Sequence, residues 1–590
     1  MKYFVHLNEF TLWRILWLVS QGRPIYLMPS SPIIPLFSNL LRKLQTWLEE
    51  RPNVQTVYDL FPSARPYFEY DGYAMFQTDL FLRTEKAMDE RQRFHHAHKL
   101  GAYDMAYKQV ACNKMTEDLP TVLLMNDIAI RFGADEAKII TTDKDSLFIY
   151  EAYHGQPVPI GVEIYPQFVP VLNFLFALST ALYSIFWIVR RLQLNPIAPR
   201  EVFLGADFVG AQRQVDMVRD LIDDPASCLF VYRSAAQQQA AEDAEIDISG
   251  FETCQSQDGR INALELFSYL WLVVESISRL YFHVGDLPPA KFLAVSKLPF
   301  KKVFIRALLS RYRFRYFWGR DDYRPEHILR TQELRDIGSV SLGIAHGLPS
   351  PEVIQPIWRY IDFDIYYVLG RHLYEEHYSD TWSKQMYVRP VGSLGMTLDL
   401  FSRIDRPRLN NIVFFVSPSK KAEMIYEGVA DVARAFPDRK VFVKIKISRK
   451  REGYFDDLVE FCRNGPENLI ETEEDSYELM LKARHAISGS STITAEAIQF
   501  GLNVYSFDLT DEHMPCYYRE FPGLCVRSGE EIIENIRAIE NGSAAYPRHL
   551  YAGLINLSGE FIIDIIRKDM NLSLPANGQI KHPCLTPENA

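Results

Sequence analysis

Short apolar runs alternate with segments of helical periodicity along most of the chain, most regularly in its second half. After residue 290, the first series of runs predicts strands at 292–295, 314–318, 340–345 and 365–369. A second series predicts strands at 412–416, 441–447, 468–471, 486–488, 504–508 and 524–526. Strands that alternate with helices build a mostly parallel sheet. The pattern therefore predicts an α/β fold in which two Rossmann-like domains face a cleft.

The preceding part of the chain has a less regular α/β texture. Apolar runs that suggest strands lie at 24–28, 121–125, 138–141, 201–206 and 228–232, while 235–258 predicts a surface helix or loop. Gly, Ser and Pro at 391–395 and 405–408 indicate a linker. We expect an N-terminal α/β region at 1–200, Rossmann-like domains at 201–395 (acceptor side) and 405–530 (donor side), and C-terminal helices and a tail at 531–590. Predicted helices at 529–539 and 554–567 can pack back across the linker.

One segment complicates the picture of a globular chain. Phe168 to Val189 contains no charged residue and is followed by Arg190 and Arg191, and its length could span a bilayer. Polar residues within the run and Trp187 near its end also suit a helix at a membrane surface. Docking on a membrane, burial in the core and a true span all stay open. A second apolar helix, 264–284, carries charges and is expected to be buried or to lie on a surface.

Composition and charge narrow the class of protein. Hydrophobic residues make up 47% and charged residues 24% of the chain, as in globular proteins. A net charge of -11 argues against nucleic acid as the main partner. The seven cysteines form no CxxC pair, which suggests reduced thiols, and no signal-peptide pattern opens the sequence. We expect a cytoplasmic protein, peripheral on the inner face of the cell membrane if the apolar segment docks there.

The strongest candidate site is a hydroxyl-rich turn between a strand and a helix. Gly489 and Ser490 allow a ligand to approach the backbone, and free N–H groups at a helix start attract phosphate. Ser491 and Thr492 add hydroxyl donors, and Glu496 lies one turn into the helix, where it could reach a ribose. Capping of the helix is the plainer interpretation. Three consecutive hydroxyl residues exceed what a cap requires, which favours ligand binding.

A histidine follows the predicted strand 340–345. His346, with Gly347 forcing a loop, is expected to point into the cleft, where an imidazole could take a proton from an acceptor hydroxyl. A buried histidine with a purely structural role is the alternative. Asp321 and Asp322 end another strand and could orient an acceptor or assist His346, although such residues more often cap helices.

Basic and hydroxyl residues end two further strands of the second series. Lys444 and Lys446 alternate with apolar residues, and positive charge beside the hydroxyl turn would neutralise a pyrophosphate. An exposed edge strand with a solvated basic loop explains the same pattern equally well. Ser417 ends the first strand of the series and would face the same cleft.

Together these residues resemble the GT-B glycosyltransferases of bacterial surface polysaccharide synthesis, particularly the group related to CDP-glycerol glycerophosphotransferases, bacterial sialyltransferases and capsule Kdo transferases. The likeness covers roughly 314–526 and rests on His346-Gly347, Val391-Gly392-Ser393 and Ser490-Ser491-Thr492 with Glu496, Ala497 and Gly501. It implies a catalytic or acceptor-facing histidine and a turn that binds donor phosphate. Relatives often carry a His-Pro pair after a lysine, whereas this chain has Lys444-Ile445-Lys446-Ile447, which leaves the donor class open.

The predicted function is therefore a transferase that moves a sugar or polyol phosphate from a nucleotide-activated donor onto a glycan or glycolipid. No cofactor is expected, and metal-independent chemistry is expected because no cluster of metal ligands stands out in the sequence. Two alternatives remain. A nucleotide-sugar 2-epimerase shares the architecture and a similar turn followed by glutamate, and a non-catalytic assembly protein could keep the fold without turnover.

Overall fold

Three parallel sheets, each flanked by helices, follow one another along the chain. The computed structural model describes residues 1–29, 33–34, 37–64, 85–86, 95–195, 198–319, 322–348, 356–393, 395–404, 408–416, 422–445, 455–489, 491–508 and 516–572. We name the units built on the three sheets the N-terminal, middle and C-terminal domains.

The N-terminal domain has a five-stranded sheet in the order β3-β2-β1-β4-β5. Its strands are β1 Lys2–His6, β2 Ile25–Met28, β3 Val54–Thr56, β4 Ala137–Thr141 and β5 Gly161–Ile164. Its helices are α1 Leu12–Ser20, α2 Ser38–Glu49, α3 Val57–Leu60, α4 Asp104–Arg131 and α5 Lys144–His154. The strand suggested at 121–125 is wrong, because those residues lie within α4. That helix packs against both its own domain and the middle domain, so it is apolar on several sides.

The middle domain has a seven-stranded sheet in the order β14-β13-β12-β11-β7-β8-β9, and a small sheet pairs β6 with β10. The strands are β6 Leu192–Gln193, β7 Arg200–Asp207, β8 Cys228–Tyr232, β9 Glu252–Gln255, β10 Ile261–Asn262, β11 Tyr312–Gly319, β12 Val340–Ile344, β13 Ile365–Val368 and β14 Tyr387–Pro390. The helices are α6 Val169–Arg191, α7 Gln212–Leu221, α8 Ala235–Asp243, α9 Leu266–Val284, α10 Pro289–Ser296, α11 Leu298–Arg311 and α12 Pro325–Asp336.

Two predictions for the middle domain are wrong. The strand expected at 292–295 is part of α10, in which Phe292 and Val295 are buried at the three-residue spacing of a helix. The segment expected to be only surface helix or loop, 235–258, also contains edge strand β9, which the paired strand β8 holds in place despite its polar sequence.

The C-terminal domain has a six-stranded sheet in the order β17-β16-β15-β18-β19-β20. Its strands are β15 Asn411–Phe415, β16 Val441–Lys444, β17 Leu469–Thr472, β18 Ala483–Ser488, β19 Asn503–Phe507 and β20 Cys525–Val526. The helices are α13 Leu398–Arg403, α14 Ala422–Ala435, α15 Asp456–Asn464, α16 Ser476–Lys482, α17 Thr492–Gln499, α18 Gly529–Glu540 and α19 Ile562–Asp569. The doubly wound order 3-2-1-4-5-6 is that of a Rossmann fold. The predicted α/β class, with two Rossmann-like domains and an additional N-terminal α/β region, is confirmed.

The last helix returns to the middle domain. The buried guanidinium of Arg567 on α19 donates to the Leu221 carbonyl at 2.9 Å and to Asp223 Oδ1 at 2.9 Å. Tyr316 of β11 donates its hydroxyl to the Met570 carbonyl at 2.9 Å. The expectation that the chain packs back across the linker is therefore confirmed, with the helix over 562–569 rather than 554–567.

Helix α6 has the reverse of the usual polarity of a surface helix. It turns small and polar residues toward the protein: Asn173, Ala177, Thr180, Ser184 and Ile188 are buried. Its large apolar residues face outward, with Phe174, Leu175, Leu182, Tyr183 and Phe186 between 50% and 58% exposed. Burial as a core helix is therefore excluded. In the part of the chain that the structure describes, α6 is the one helix long and apolar enough to cross a membrane.

Candidate functional site

The hydroxyl turn lies at the carboxyl end of β18 and leads directly into α17. Ser491 is the N-cap residue with an extended backbone, and Thr492 is the first helical residue. The Ser491 side chain makes no capping hydrogen bond; its backbone carbonyl instead accepts from Thr494 N at 3.0 Å. Capping thus does not occupy the Ser491 hydroxyl, and the helix start keeps the chemistry expected of an anion site.

The turn meets the histidine loop of the middle domain. Thr492 Oγ1 accepts a hydrogen bond from the backbone N–H of Leu348 at 3.0 Å. A Cβ atom at Gly347 would lie only 2.8 Å from the same oxygen, so a larger residue there would force the Thr492 side chain to shift. The two segments singled out independently in the sequence are therefore neighbours. They join the carboxyl ends of β12 and β18, where ligands bind in doubly wound sheets.

The side chain of His346 is exposed on this loop, and a hydrogen bond fixes its backbone. The His346 N–H donates to Asp322 Oδ2 at 2.9 Å, and the same oxygen accepts from the Tyr366 hydroxyl at 2.9 Å. Asp322 is fully buried. Burial, and secondarily the Asp322 charge, raises the pKa of Tyr366 well above its usual range, so this phenol stays a proton donor. The Asp322 carboxylate thus fixes the histidine loop by binding its backbone, whereas the sequence left open an acceptor contact, assistance to His346 or a helix cap.

The N-terminal domain holds the neighbouring loop, which follows β11 and carries Asp322 and Tyr323. Gln109 of α4 donates to the backbone carbonyl of Asp322 at 3.2 Å, and Asn113, one turn later, donates to that of Tyr323 at 3.2 Å. The ring of Tyr323 lies edge-on to that of His346, with centroids 5.5 Å apart. Residues from the first sheet's domain therefore shape the cleft wall. Sequence reasoning missed them, because two amides on a long helix carry no motif.

Glu496 is tied to the linker between the domains. Its Oε1 accepts from Ser393 Oγ at 2.7 Å and from the Tyr477 hydroxyl at 3.0 Å. Burial raises the pKa of Glu496, while these two hydrogen bonds and the nearby Arg213 oppose the rise. The other carboxylate oxygen has no hydrogen-bond partner within the described segments of the chain. Glu496 can thus make the predicted ribose contact only through its second carboxylate oxygen, because the first binds Ser393 of the linker.

The linker residues that hold α17 were present in the sequence motif, but their role was not foreseen. Ser393 N donates to Gln499 Oε1 at 2.7 Å. Gly392 has φ of +86°, and a Cβ there would lie 2.0 Å from the Gln499 amide nitrogen. The Val391-Gly392-Ser393 motif therefore clamps the candidate phosphate helix onto the middle domain, and glycine is required for both its backbone angle and its space.

Two further side chains fix the turn and the domain contact. The buried Tyr518 donates its hydroxyl to the Ser491 carbonyl at 2.5 Å. Arg213 of the middle domain lies over the Tyr477 ring at 4.4 Å and pairs with Asp475 at 3.0 Å. No sequence signal identified either residue, because each contact joins segments distant along the chain.

Lys444 ends β16 on the donor side, but its side chain is buried. Its ammonium donates to the Glu473 carbonyl at 2.8 Å. Lys444 therefore does not belong to an outward-facing set of basic residues, as was expected. Its ammonium group instead fixes the loop after β17. Asp321, Ser417, Lys446 and Ser490, the other predicted site residues, lie outside the described residues.

Comparisons with solved structures find similarity only at low sequence identity and low TM-score. No family model matches the chain, and no curated protein matches it. A UDP-GlcNAc 2-epimerase from Neisseria meningitidis is 12% identical with a TM-score of 0.35, and covers 59% of this chain and 93% of its own. The glycotransferase of kitacinnamycin is 13% identical with a TM-score of 0.32, covering 60% and 94%. MurG from Acinetobacter baumannii is 9% identical with a TM-score of 0.33, covering 60% and 92%. Similarity at this level carries no argument about activity.

Proposed function

We propose that this chain is a GT-B type transferase that moves a sugar or polyol phosphate from a nucleotide-activated donor to a surface glycan or glycolipid. The observation that carries the proposal is the contact between Thr492 and the Gly347-Leu348 backbone. It brings a helix start suited to a phosphate next to a histidine loop at the carboxyl ends of two facing sheets. The resemblance of the sequence motifs to the glycerophosphotransferase, sialyltransferase and Kdo transferase group supports the choice of substrates in this proposal.

In this proposal the donor side holds the leaving group. The N–H groups at the start of α17, the Gly489 backbone and the Ser491 hydroxyl bind the departing phosphate, and Ser490, Lys446 and Ser417 are assigned there from the sequence. The free oxygen of Glu496 binds a ribose hydroxyl. Fixed donors of this kind stabilise the negative charge that develops as the bond to the donor breaks.

The acceptor side supplies the base. The neutral imidazole of His346 takes the proton of an acceptor hydroxyl, whose oxygen bonds to the transferred group as the nucleotide phosphate leaves with its electron pair. Asp322 keeps the loop in place, and Asp321 is assigned from the sequence to orient the acceptor. No cofactor takes part in this step.

A ligand screen tests the donor site. Thermal shifts should be measured with CMP, CDP, UDP and GDP compounds, since binding to the native state raises the apparent melting temperature. One nucleotide should stabilise the protein, and Ser491→Ala should abolish that shift. Ser543→Ala, at an exposed hydroxyl on a distant turn, is the matched control. Shifts that are equal in both variants would remove the turn from the donor site.

The 2-epimerase remains a second candidate, because a hydroxyl turn followed by Glu496 serves a nucleotide sugar in either reaction. Incubation with UDP-GlcNAc alone separates the two. Epimerisation without any acceptor would replace the transferase proposal. A protein that binds nucleotide but neither epimerises nor transfers would be the non-catalytic assembly protein.

We further propose that a phospholipid bilayer covers the outward face of α6 and α9. The two helices pack together, and the outer side chains of α9 continue the apolar surface, with Phe267 82%, Trp271 70% and Phe282 80% exposed. At the end of α6, the Arg190 and Arg191 guanidiniums lie over aromatic rings, as basic and aromatic residues do at lipid headgroups. Because polar residues anchor α6 along its length to the protein, we propose surface docking and not a span.

Vesicle sedimentation tests the membrane face. The protein should bind vesicles of phosphatidylcholine with phosphatidylglycerol, and the double variant Phe267→Ser with Trp271→Ser should reduce binding at least about tenfold, given the apolar area removed. Leu409→Ser, at a 65% exposed leucine elsewhere, is the control. Unchanged binding by the double variant would refute the proposal. So would a detergent-sensitive dimer that binds no vesicles, which would assign this face to a second copy.

A further inference from the structure

Three side chains with metal-binding atoms converge between the middle and C-terminal domains. His372 and His377 follow strand β13, the second of them within a single π-helical turn, Tyr374–Tyr378. Glu520 ends the 3₁₀ turn Tyr517–Glu520 of the C-terminal domain. Each contributes one ligand atom, and the three atoms lie within 4.8 Å of one another. This cluster is separate from the hydroxyl turn and from His346.

The spacing of the atoms matches the edges of a metal coordination shell. His377 Nε2 lies 3.0 Å from Glu520 Oε2, and His372 Nε2 lies 3.5 Å from the same oxygen. Bonds of about 2.0–2.1 Å arranged tetrahedrally place neighbouring ligand atoms about 3.3–3.4 Å apart. The side chains are already near the positions that one ion would require, so binding needs only small rotations.

The surroundings orient these ligands in the way that metal sites do. His372 Nδ1 is 3.3 Å from the hydroxyl of Tyr517, leaving Nε2 to face the cluster. The backbone on either side is fixed: His372 N donates to the Gly553 carbonyl at 3.0 Å, and Arg359 donates to the His377 carbonyl at 3.2 Å. Partners of the second ring nitrogen set the tautomer of a ligating histidine and strengthen metal binding.

The arginines next to Glu520 and His372 in the sequence have carboxylate partners other than Glu520. Arg519 pairs with Asp508 at 2.5 Å, and Arg371 lies 3.7 Å from Glu375. The ligand atoms are two imidazole nitrogens and a carboxylate oxygen. This set favours zinc and similar transition metals, whereas magnesium and calcium prefer sets made only of oxygen.

We propose that His372, His377 and Glu520 bind a zinc-class divalent ion and that this ion ties the middle domain to the C-terminal domain. The remaining coordination position takes water. Because Tyr518 of the same turn holds the Ser491 carbonyl, the ion also steadies the segment that supports the hydroxyl turn. The proposal does not rest on the transferase function. The sequence concealed the site because Glu520 lies 143 residues beyond His377.

Zinc titration of the EDTA-treated full chain tests the proposal. One zinc ion per chain should bind and raise the melting temperature, while magnesium at the same concentration should not. Cobalt should give the visible absorption of a tetrahedral site. His377→Gln and Glu520→Gln should each weaken zinc binding at least about tenfold, since each removes a ligand. His283→Gln, at an exposed histidine on α9, should bind as the wild type does.

A milder variant separates loss of the site from loss of the fold. Tyr517→Phe keeps the buried ring and removes only the hydroxyl beside His372, and should weaken zinc binding by about tenfold. Zinc affinity that is unchanged in Glu520→Gln and His377→Gln would overturn the proposal. Failure of the wild-type chain to retain one zinc ion through gel filtration would overturn it as well.

Discussion

Two of the contacts between the middle and C-terminal domains are built in different ways. At the cleft, the contact is between the Leu348 backbone and the Thr492 hydroxyl, beside an exposed His346. At the contact made by the last helix, which we call the back, α19 buries Arg567 and several isoleucines against the middle domain. The first contact leaves polar groups turned to solvent, whereas the second buries the guanidinium of Arg567. We infer that the cleft is specialised for a ligand and the back for stability.

The largest effect is expected at His346. His346→Ala should lower transfer by about 10²–10⁴-fold, the usual contribution of a general base, while leaving the urea midpoint within error of the wild type. Turnover with the identified donor and chemical denaturation measure the two effects. Retained turnover would remove His346 from the mechanism and leave the cleft contact as a structural feature only.

The next largest effect is expected at the back. Arg567→Ala removes a charged donor from the Leu221 carbonyl and from Asp223, and should cost about 2–4 kcal/mol of unfolding free energy. Arg434→Ala, which breaks only an exposed pair with Asp431, is the control and should cost less than about 0.5 kcal/mol. Equal losses in the two variants would mean that the back contact adds no special stability.

A smaller effect tests the close approach at the cleft. Gly347→Ala inserts a methyl group against Thr492 Oγ1 and should weaken donor binding by about tenfold, or about 1–2 kcal/mol of overpacking. Adding Thr492→Ala should restore much of this loss, because it removes the atom that clashes. Isothermal titration on both single variants and the double variant measures the coupling. Purely additive effects would show that these residues do not meet.

The smallest effect concerns pH. Burial raises the pKa of Glu496 above its ordinary value in the folded chain. The stability contributed by its protonated form is present at low pH and is lost as pH rises through the raised pKa. Glu496→Gln should therefore gain stability relative to the wild type between pH 4 and pH 7. Urea unfolding at each pH measures the difference in unfolding free energy between the variant and the wild type. A difference that stays constant over this range would contradict the raised pKa.

The sequence predicted local features of this molecule well and contacts between distant residues poorly. Every strand expected between 412 and 526 is present, because strands buried in a parallel sheet are continuous apolar runs. The strand expected at 292–295 failed because a short apolar run does not distinguish a buried helix from a strand. The roles of Ser393, Tyr477 and Tyr518 at the candidate site depend on contacts between segments that are distant along the chain, which no local pattern encodes.

The hydrogen bonds from Gln109 and Asn113 to the loop that carries Asp322 and Tyr323 determine where the protein can be truncated. A fragment that starts near residue 200 keeps both facing sheets, yet it loses the amides that hold one rim of the opening from outside. Such a truncation also removes α6, which packs on α9 and α10, and opens the core that the N-terminal and middle domains share, so the fragment should lose stability as well as support for the rim beside His346. The first third of the chain therefore supports one wall of the cleft and is not an independent module.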